Sequence, residues 1–293
     1  MPWLQLSLQI DSTSAREAAD EMEAAGAASV TLEDAEDSPL LEPAPGETPL
    51  WPTVLVTGLF DSEILQDLTR LQESAVWKSR RGFHLSRVPD RAWEREWLKH
   101  FRPRRFGRHL WVCPAGLTPE DDGAGVILTL DPGLAFGTGT HETTALCLQW
   151  LDAHPPENLR VLDFGCGSGI LAIAAALLGA RIVYARDIDP QALEATRNNA
   201  LRNEVADRVL TAPADGEIPG CDLLISNILA GTLMDLAPNF ARALPGGARV
   251  VLSGILAEQA AAVIEAYSPW FGLQQLAEQD GWILLAGHRQ ETD

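Results

Sequence analysis

Apolar residues at every second position open the chain: Leu4, Leu6, Leu8 and Ile10 alternate with Gln5, Ser7 and Gln9, a period-2 pattern that predicts a half-buried strand over 3–10. Ser12, Thr13 and Ser14 offer N-caps for a helix reaching residue 25, and 29–32 reads as a second strand. A stretch with Pro39, Pro43, Pro45, Pro49 and Pro52 separates it from a strand at 54–59, a helix at 62–71 and a strand at 83–88. That order, βαββαβ, predicts a ferredoxin-like α+β domain over 1–89. It holds no glycine cluster and no paired acid and base, so a recognition role suits it better than chemistry. Residues 90–101 read as a linking helix with Trp93 and Trp97 four apart on one face, most simply a core contact.

Beyond residue 109 the pattern changes. Strand-like pieces at 109–113 and 126–130 lead through a polar loop to a helix at 145–151. From residue 160, apolar strands at 161–164, 182–185, 223–226, 249–253 and 282–286 alternate with helices at 170–178, 190–201, 229–244 and 257–266. Alternation of this kind predicts an α/β domain with a doubly wound sheet over 109–293, after a linker helix and basic segment at 90–108. Pro190 stands at a helix start and Gly246-Gly247 after a helix end, as capping geometry favours. Ligands in such sheets lie at the carboxyl ends of the strands.

One strand exit carries chemistry. Asp163-Phe164-Gly165-Cys166-Gly167-Ser168-Gly169 follows an apolar strand and opens a helix, and Asp187 ends the next strand 22 residues after Gly165. Glycines permit a tight turn and let a ligand lie against bare main chain. A carboxylate at the tip of the second strand suits ribose hydroxyls. The spacing is G-x-G-x-G, one residue shorter than the dinucleotide fingerprint, and it resembles the first motif of class I methyltransferases, which bind S-adenosylmethionine. That ligand has no phosphate. Asp163, if it faces the cleft, suits the methionine ammonium. An acid at this distance also occurs in nicotinamide enzymes, so a nicotinamide-dependent oxidoreductase stays open as an alternative.

A rarer signature lies upstream, Asp131-Pro-Gly-Leu-Ala-Phe-Gly-Thr-Gly-Thr-His-Glu-Thr-Thr144, a loop rich in hydroxyl and N–H donors. With VLDFGCGSGILAIAAALLGA, DIDPQALEATRNNA, NILAGTL, LSGILAEQ and the upstream WEREWLKHFRPRRFGRHLWVCP, it makes nearly the whole chain resemble the ribosomal protein methyltransferase family PrmA. Glu142 departs from a common form of the motif, which has proline there. The resemblance implies a Rossmann-like class I methyltransferase domain with a seven-stranded, mostly parallel sheet whose last strand inserts antiparallel, behind a ferredoxin-like substrate-recognition domain. It implies methyl transfer from S-adenosylmethionine to lysine and N-terminal amines of large-subunit ribosomal protein eleven. Matched motif by motif, Thr144, Gly165, Gly167, Asp187 and Asn227 are the cofactor-binding positions, with Asn227 also at the centre of catalysis. Ile188 would pack on the adenine and Asp215 would accept from its amino group. A non-catalytic ribosome-docking module is a further alternative; the intact glycine turn, Asp187 and Asn227 argue against it.

Composition narrows the partners. The net charge of −19 argues against direct nucleic-acid binding, which draws on phosphate neutralisation. Half of the 22 Lys and Arg lie between Lys78 and Arg108, whereas residues 1–77 carry 15 acids against Arg16 and Arg70, a front suited to steering a lysine-rich protein. No apolar run approaches the ~20 residues of a membrane span, and the N-terminus lacks a signal peptide's basic and apolar regions. Cys113, Cys147, Cys166 and Cys221 form no CxxC pair and the six histidines show no ligand spacing, so reduced thiols and no metal are expected. A cytoplasmic, monomeric enzyme is the expectation. His141 reads as a loop anchor rather than a base.

Overall fold

The structure, a computed structural model, describes residues 3–36, 50–61, 74–88, 102–119, 125–130 and 141–291. The helices expected at 62–71 and 90–101, most of the proline-rich stretch and the loop at 131–140 lie outside these residues. The chain divides into two compact units, Met1–Glu96 and Trp97–Asp293.

In the first unit β1 (Trp3–Asp11), α1 (Ser12–Ala24), β2 (Ser29–Asp34), β3 (Thr53–Asp61), a single-turn α2 (Ala75–Lys78) and β4 (Gly82–Val88) follow one another. The strands lie in the order β2-β3-β1-β4, every neighbouring pair antiparallel, which is the order of a split βαββαβ sheet. The period-2 pattern is realised: Leu4, Leu6, Leu8 and Ile10 join Val54, Val56 and Phe60 in a core closed by Ala15, Ala18 and Met22 of α1. The serine–threonine run does not cap α1. The N-cap is Asp11, which makes no capping bond; its carboxylate accepts from Arg81 at 2.7 Å, and a charged partner outcompetes the helix amides.

The second unit holds two sheets. β5 (Arg104–Phe106), β6 (Leu110–Pro114) and β7 (Val126–Leu130) form a three-stranded sheet. Asp152, near the end of α3 (Glu142–Ala153), secures it. Its carboxylate accepts from the amides of Arg108, His109 and Leu110 at 2.6, 3.0 and 2.9 Å.

The main sheet comprises β8 (Arg160–Phe164), β9 (Ile182–Asp187), β10 (Val209–Pro213), β11 (Leu223–Asn227), β12 (Arg249–Leu256), β13 (Phe271–Gln279) and β14 (Trp282–Arg289). Its order is β10-β9-β8-β11-β12-β14-β13, parallel except for β14, which inserts antiparallel between β12 and the edge strand β13. Alternate side chains feed two cores. Val161, Val183, Ile225 and Val251 pack with α3, α4 (Ile170–Leu177) and α5 (Pro190–Arg202). Leu162, Leu224, Val250 and Leu252 face α6 (Ala230–Ala243) and α7 (Ala260–Tyr267). A 3₁₀ turn, Ala257–Gln259, precedes α7 where a continuous helix was expected. The helix expected at 145–151 starts earlier, at Glu142. No described helix is long and apolar enough to cross a membrane.

Candidate active site at the carboxyl edge of the main sheet

Register builds the site. Phe164 of β8 pairs with Arg186 of β9 and with Ser226 of β11, so the next residue of each strand brings Asp187, Gly165 and Asn227 to one level. Asn227 in turn pairs with Ser253 of β12. With adjacent strands about 4.8 Å apart, Asp187 and Asn227 stand about 10 Å from each other with Gly165 between them, a span that fits a nucleoside laid across the strand tips. Large apolar side chains flank this row in solvent: Ile188 is 88 % exposed and Leu229 56 %.

The chain leaves β8 through a turn with positive φ at Gly165 (82°), Gly167 (54°) and Gly169 (81°). A Cβ on Gly165 would come within 2.2 Å of the Ile228 side chain, so glycine is required there by space as well as by conformation. Main-chain groups of β9 hold the first half of the turn, the amides of Gly165 and Cys166 donating to the Arg186 carbonyl at 2.8 and 3.0 Å. The Gly167 amide donates to Asp187 Oδ2 at 2.9 Å, and the Asp189 amide to Asp187 Oδ1 at 2.9 Å. Each carboxylate oxygen has a further lone pair, so Asp187 is oriented by the backbone and can still accept from two hydroxyls.

Thr144 and Asn227, 83 residues apart, meet: Asn227 Nδ2 donates to Thr144 Oγ1 at 3.2 Å. Thr144 lies in the first turn of α3 and is buried, not in the open loop where its motif placed it. Because the amide nitrogen is engaged, Asn227 Oδ1 is the group left to accept from an incoming N–H. His141 caps α3, its Nδ1 accepting from the Thr143 amide at 3.4 Å, and its ring meets Trp282 edge-on at 5.1 Å. That is the anchoring role its surroundings in the sequence indicate. Asp215 is exposed, just past the end of β10.

Asp163 does not project into the cleft. It points to the helix side of the sheet, where Oδ2 accepts from the Ala172 amide of α4 at 2.9 Å, and it is 1 % exposed. Burial pushes its carboxyl up to about 7; the Ala172 amide opposes the shift and the nearby Asp187 charge adds to it. Asp163 Oδ1 is buried with no hydrogen-bond partner. A carboxylate with spare lone pairs, bare glycine main chain and two exposed apolar side chains suit a nucleoside without phosphates.

Three contributors were not visible as such in the sequence. Thr196 and Asn199 of α5 bond to the glycine turn, and Gly254 of β12 makes room for Ile228: a Cβ on Gly254 would stand 2.3 Å from the Ile228 carbonyl oxygen. All three lie within motifs quoted above (ATRNNA and LSGIL), but nothing in those letters says which side chain turns toward which loop.

A doubly wound sheet with an antiparallel penultimate strand and a G-x-G-x-G turn facing an acid defines the Rossmann-like class I methyltransferase fold. The profile of the family described as "Ribosomal protein L11 methyltransferase (PrmA)" matches residues 2–290, and the chain belongs to that family. Among similar proteins, the ribosomal protein L11 methyltransferase of Methylococcus capsulatus is 50 % identical, covering 98 % of this chain and 99 % of its own. The protein of the same name from Escherichia coli (strain 55989 / EAEC) is 47 % identical, covering 99 % and 100 %. A crystal structure of the ribosomal protein L11 methylase from Lactobacillus delbrueckii subsp. bulgaricus is 33 % identical with a TM-score of 0.58, covering 65 % of this chain and all of that one.

Proposed function

We propose that the protein transfers methyl groups from S-adenosylmethionine to lysine and N-terminal amines of ribosomal protein L11. The observation that carries this reading is the Asn227–Thr144 hydrogen bond, which leaves a neutral acceptor beside the glycine turn at the level of Asp187. When bound, S-adenosylmethionine supplies a methyl group already activated on a sulfonium. What the chain must add is alignment and an amine free of its proton.

Asp187 holds the ribose hydroxyls, and the turn from Gly165 to Gly169 offers main chain without Cβ to the rest of the donor. Ile188 would lie against the adenine. Asn227 Oδ1 accepts an N–H of the incoming amine and so directs the nitrogen lone pair toward the methyl carbon. Neutralising a lysine of ordinary pKa at pH 7 costs about 4.6 kcal/mol, and an N-terminal amine only about 1 to 1.4 kcal/mol. Desolvation in the cleft and the sulfonium charge both lower that cost. Asn227 therefore acts as an orienting acceptor, and no strong general base is needed.

The first unit, acidic over its opening 77 residues and without catalytic groups, serves to recognise the basic protein substrate. The setting is the cytoplasm and the working form a monomer. Incubating the enzyme with S-adenosylmethionine and purified L11, then mapping added methyl groups by mass spectrometry, tests the assignment. No methylated amine on L11 would defeat it.

A further inference from the structure

The glycine turn is held from two sides, and only one of them involves the residues assigned to donor binding. Its first half hangs on β9, through the Arg186 carbonyl and Asp187. Its second half hangs on α5. Thr196 Oγ1 donates to the Gly167 carbonyl at 3.0 Å and Asn199 Nδ2 donates to the Ser168 carbonyl at 3.0 Å. Thr196 is 0 % exposed and Asn199 2 %. Three residues apart, they share one face of the helix.

This face is fitted to the turn by shape too. A Cβ on Gly169 would lie 2.8 Å from Thr196 Cγ2 and 3.0 Å from Thr196 Cα. Helix α5 thus approaches the turn so closely that a glycine is needed opposite it. The Thr196 hydroxyl also lies 3.4 Å from Cys166 Sγ. Within one turn, Gly167 has its amide tied to Asp187 and its carbonyl to Thr196, from opposite sides. Two consecutive peptide planes, 167–168 and 168–169, have their carbonyls drawn to α5 by side chains and not by regular secondary structure. Glycines at positive φ resist a flip of those planes poorly, since they lack the Cβ that would forbid the alternative.

We propose that Thr196 and Asn199 are positioning residues for donor binding. By fixing both carbonyls they hold the turn in the one conformation that presents its main chain, and the Gly167 amide that orients Asp187, to the donor. Without the Thr196 hydroxyl the partly buried Gly167 carbonyl loses that donor, and turn conformations that reorient it gain population. Apparent donor affinity then falls by the fraction of molecules whose turn is competent. Once the donor is bound the turn is in place, so the chemical step, which depends on Asn227 and the acceptor, is unaffected.

The inference rests on the glycine turn being the donor site, and the experiment separates the two. Isothermal titration with S-adenosylmethionine is carried out on full-length wild type, Asp187→Ala, Thr196→Val, Thr196→Ser and Asn199→Ala, with donor KM, L11 KM and kcat measured in parallel. Thr196→Val keeps the shape and loses the hydroxyl. Its donor Kd and KM rise up to about tenfold, the weight of one partly buried hydrogen bond, with kcat at saturating donor and KM for L11 within about twofold of wild type. Thr196→Ser restores the hydroxyl and returns donor Kd to within about threefold. A wild-type donor Kd in Thr196→Val, or a lowered melting temperature with no change in donor KM, overturns the proposal. Should Thr196→Val fail to fold, Asn199→Ala decides: a raised donor KM at unchanged kcat supports it, and wild-type donor binding overturns it. If instead wild type does not bind the donor, or Asp187→Ala binds it normally, it is the site assignment that fails.

Discussion

The amide of Gly167 donates to Oδ2 of Asp187 at 2.9 Å, joining the glycine turn to the acid that ends the neighbouring strand. The carboxylate is thereby aimed before any ligand arrives, and a rigid acceptor loses little entropy on binding.

Asp187→Ala removes both the acceptor and the anchor of the Gly167 amide. Donor affinity is expected to fall on the order of a hundredfold, because charge-assisted bonds to two hydroxyls are lost together. Calorimetric titration with S-adenosylmethionine checks this, and a loss of less than about threefold would contradict the assigned role. Asp187→Asn, which keeps one accepting oxygen, should fall between.

Asn227→Ala leaves Thr144 in place and takes away the oxygen proposed to accept from the amine. The expected result is a fall in kcat of about a hundredfold, larger than the change in donor Kd, as for loss of a group that acts mainly in the transition state. Single-turnover methylation of L11 measures it.

Asp163 ties stability to pH. Its folded-state pKa, about 7, lies above the ordinary 3.8, so the folded protein favours the protonated carboxyl. That contribution is fully present below about pH 4 and is lost as the pH rises through 7. Asp163→Asn removes the charge that burial penalises. In the absence of donor, its melting temperature relative to wild type should increase between pH 5 and pH 8, on the order of 2 °C or more. Differential scanning calorimetry at the two pH values decides, with a pH-independent difference counting against the assignment.

Gly254 has φ of 80° and its missing Cβ makes room for the Ile228 carbonyl. Gly254→Ala forces the strained conformation and pushes on the residue after Asn227. It should cost about 1–3 kcal/mol of stability and lower kcat at least tenfold in the protein that still folds. Urea unfolding together with steady-state kinetics tests both parts.

Removing residues 1–96 leaves the second unit, which contains both cores of the main sheet. The shortened chain should bind S-adenosylmethionine within about threefold of wild type and methylate L11 at less than about 1 % of the full-length rate. Retained methylation would show that recognition lies elsewhere.

Much of the main sheet could be read from the chain because each strand is a short apolar run bounded by a turn residue, and each helix buries an apolar face. β13 and β5 escaped notice for opposite reasons. Only Phe271 and Leu273 of β13 are buried, and its alternation is broken by an irregularity between Gln275 and Ala277. β5 is three residues long with two arginines, and it exists because β6 offers it a partner.

The linear order of residues determined that a nucleoside binds at the strand tips and favoured its kind. Glycine spacing, an acid one strand later and an asparagine at a further strand tip are local facts, and the spacing favours a sulfonium nucleoside over a dinucleotide. Which of these groups act together was decided by the fold. Parallel register set Asp187, Gly165 and Asn227 at one level and turned Asp163 away under α4, and the packing of α3 on the sheet brought Thr144 to Asn227 across 83 positions. Strand pairing is a long-range interaction whose energy depends on the whole sheet, so no window of neighbouring residues contains it. For the same reason the hold of Thr196 and Asn199 on the turn appears only when α5 is laid against it.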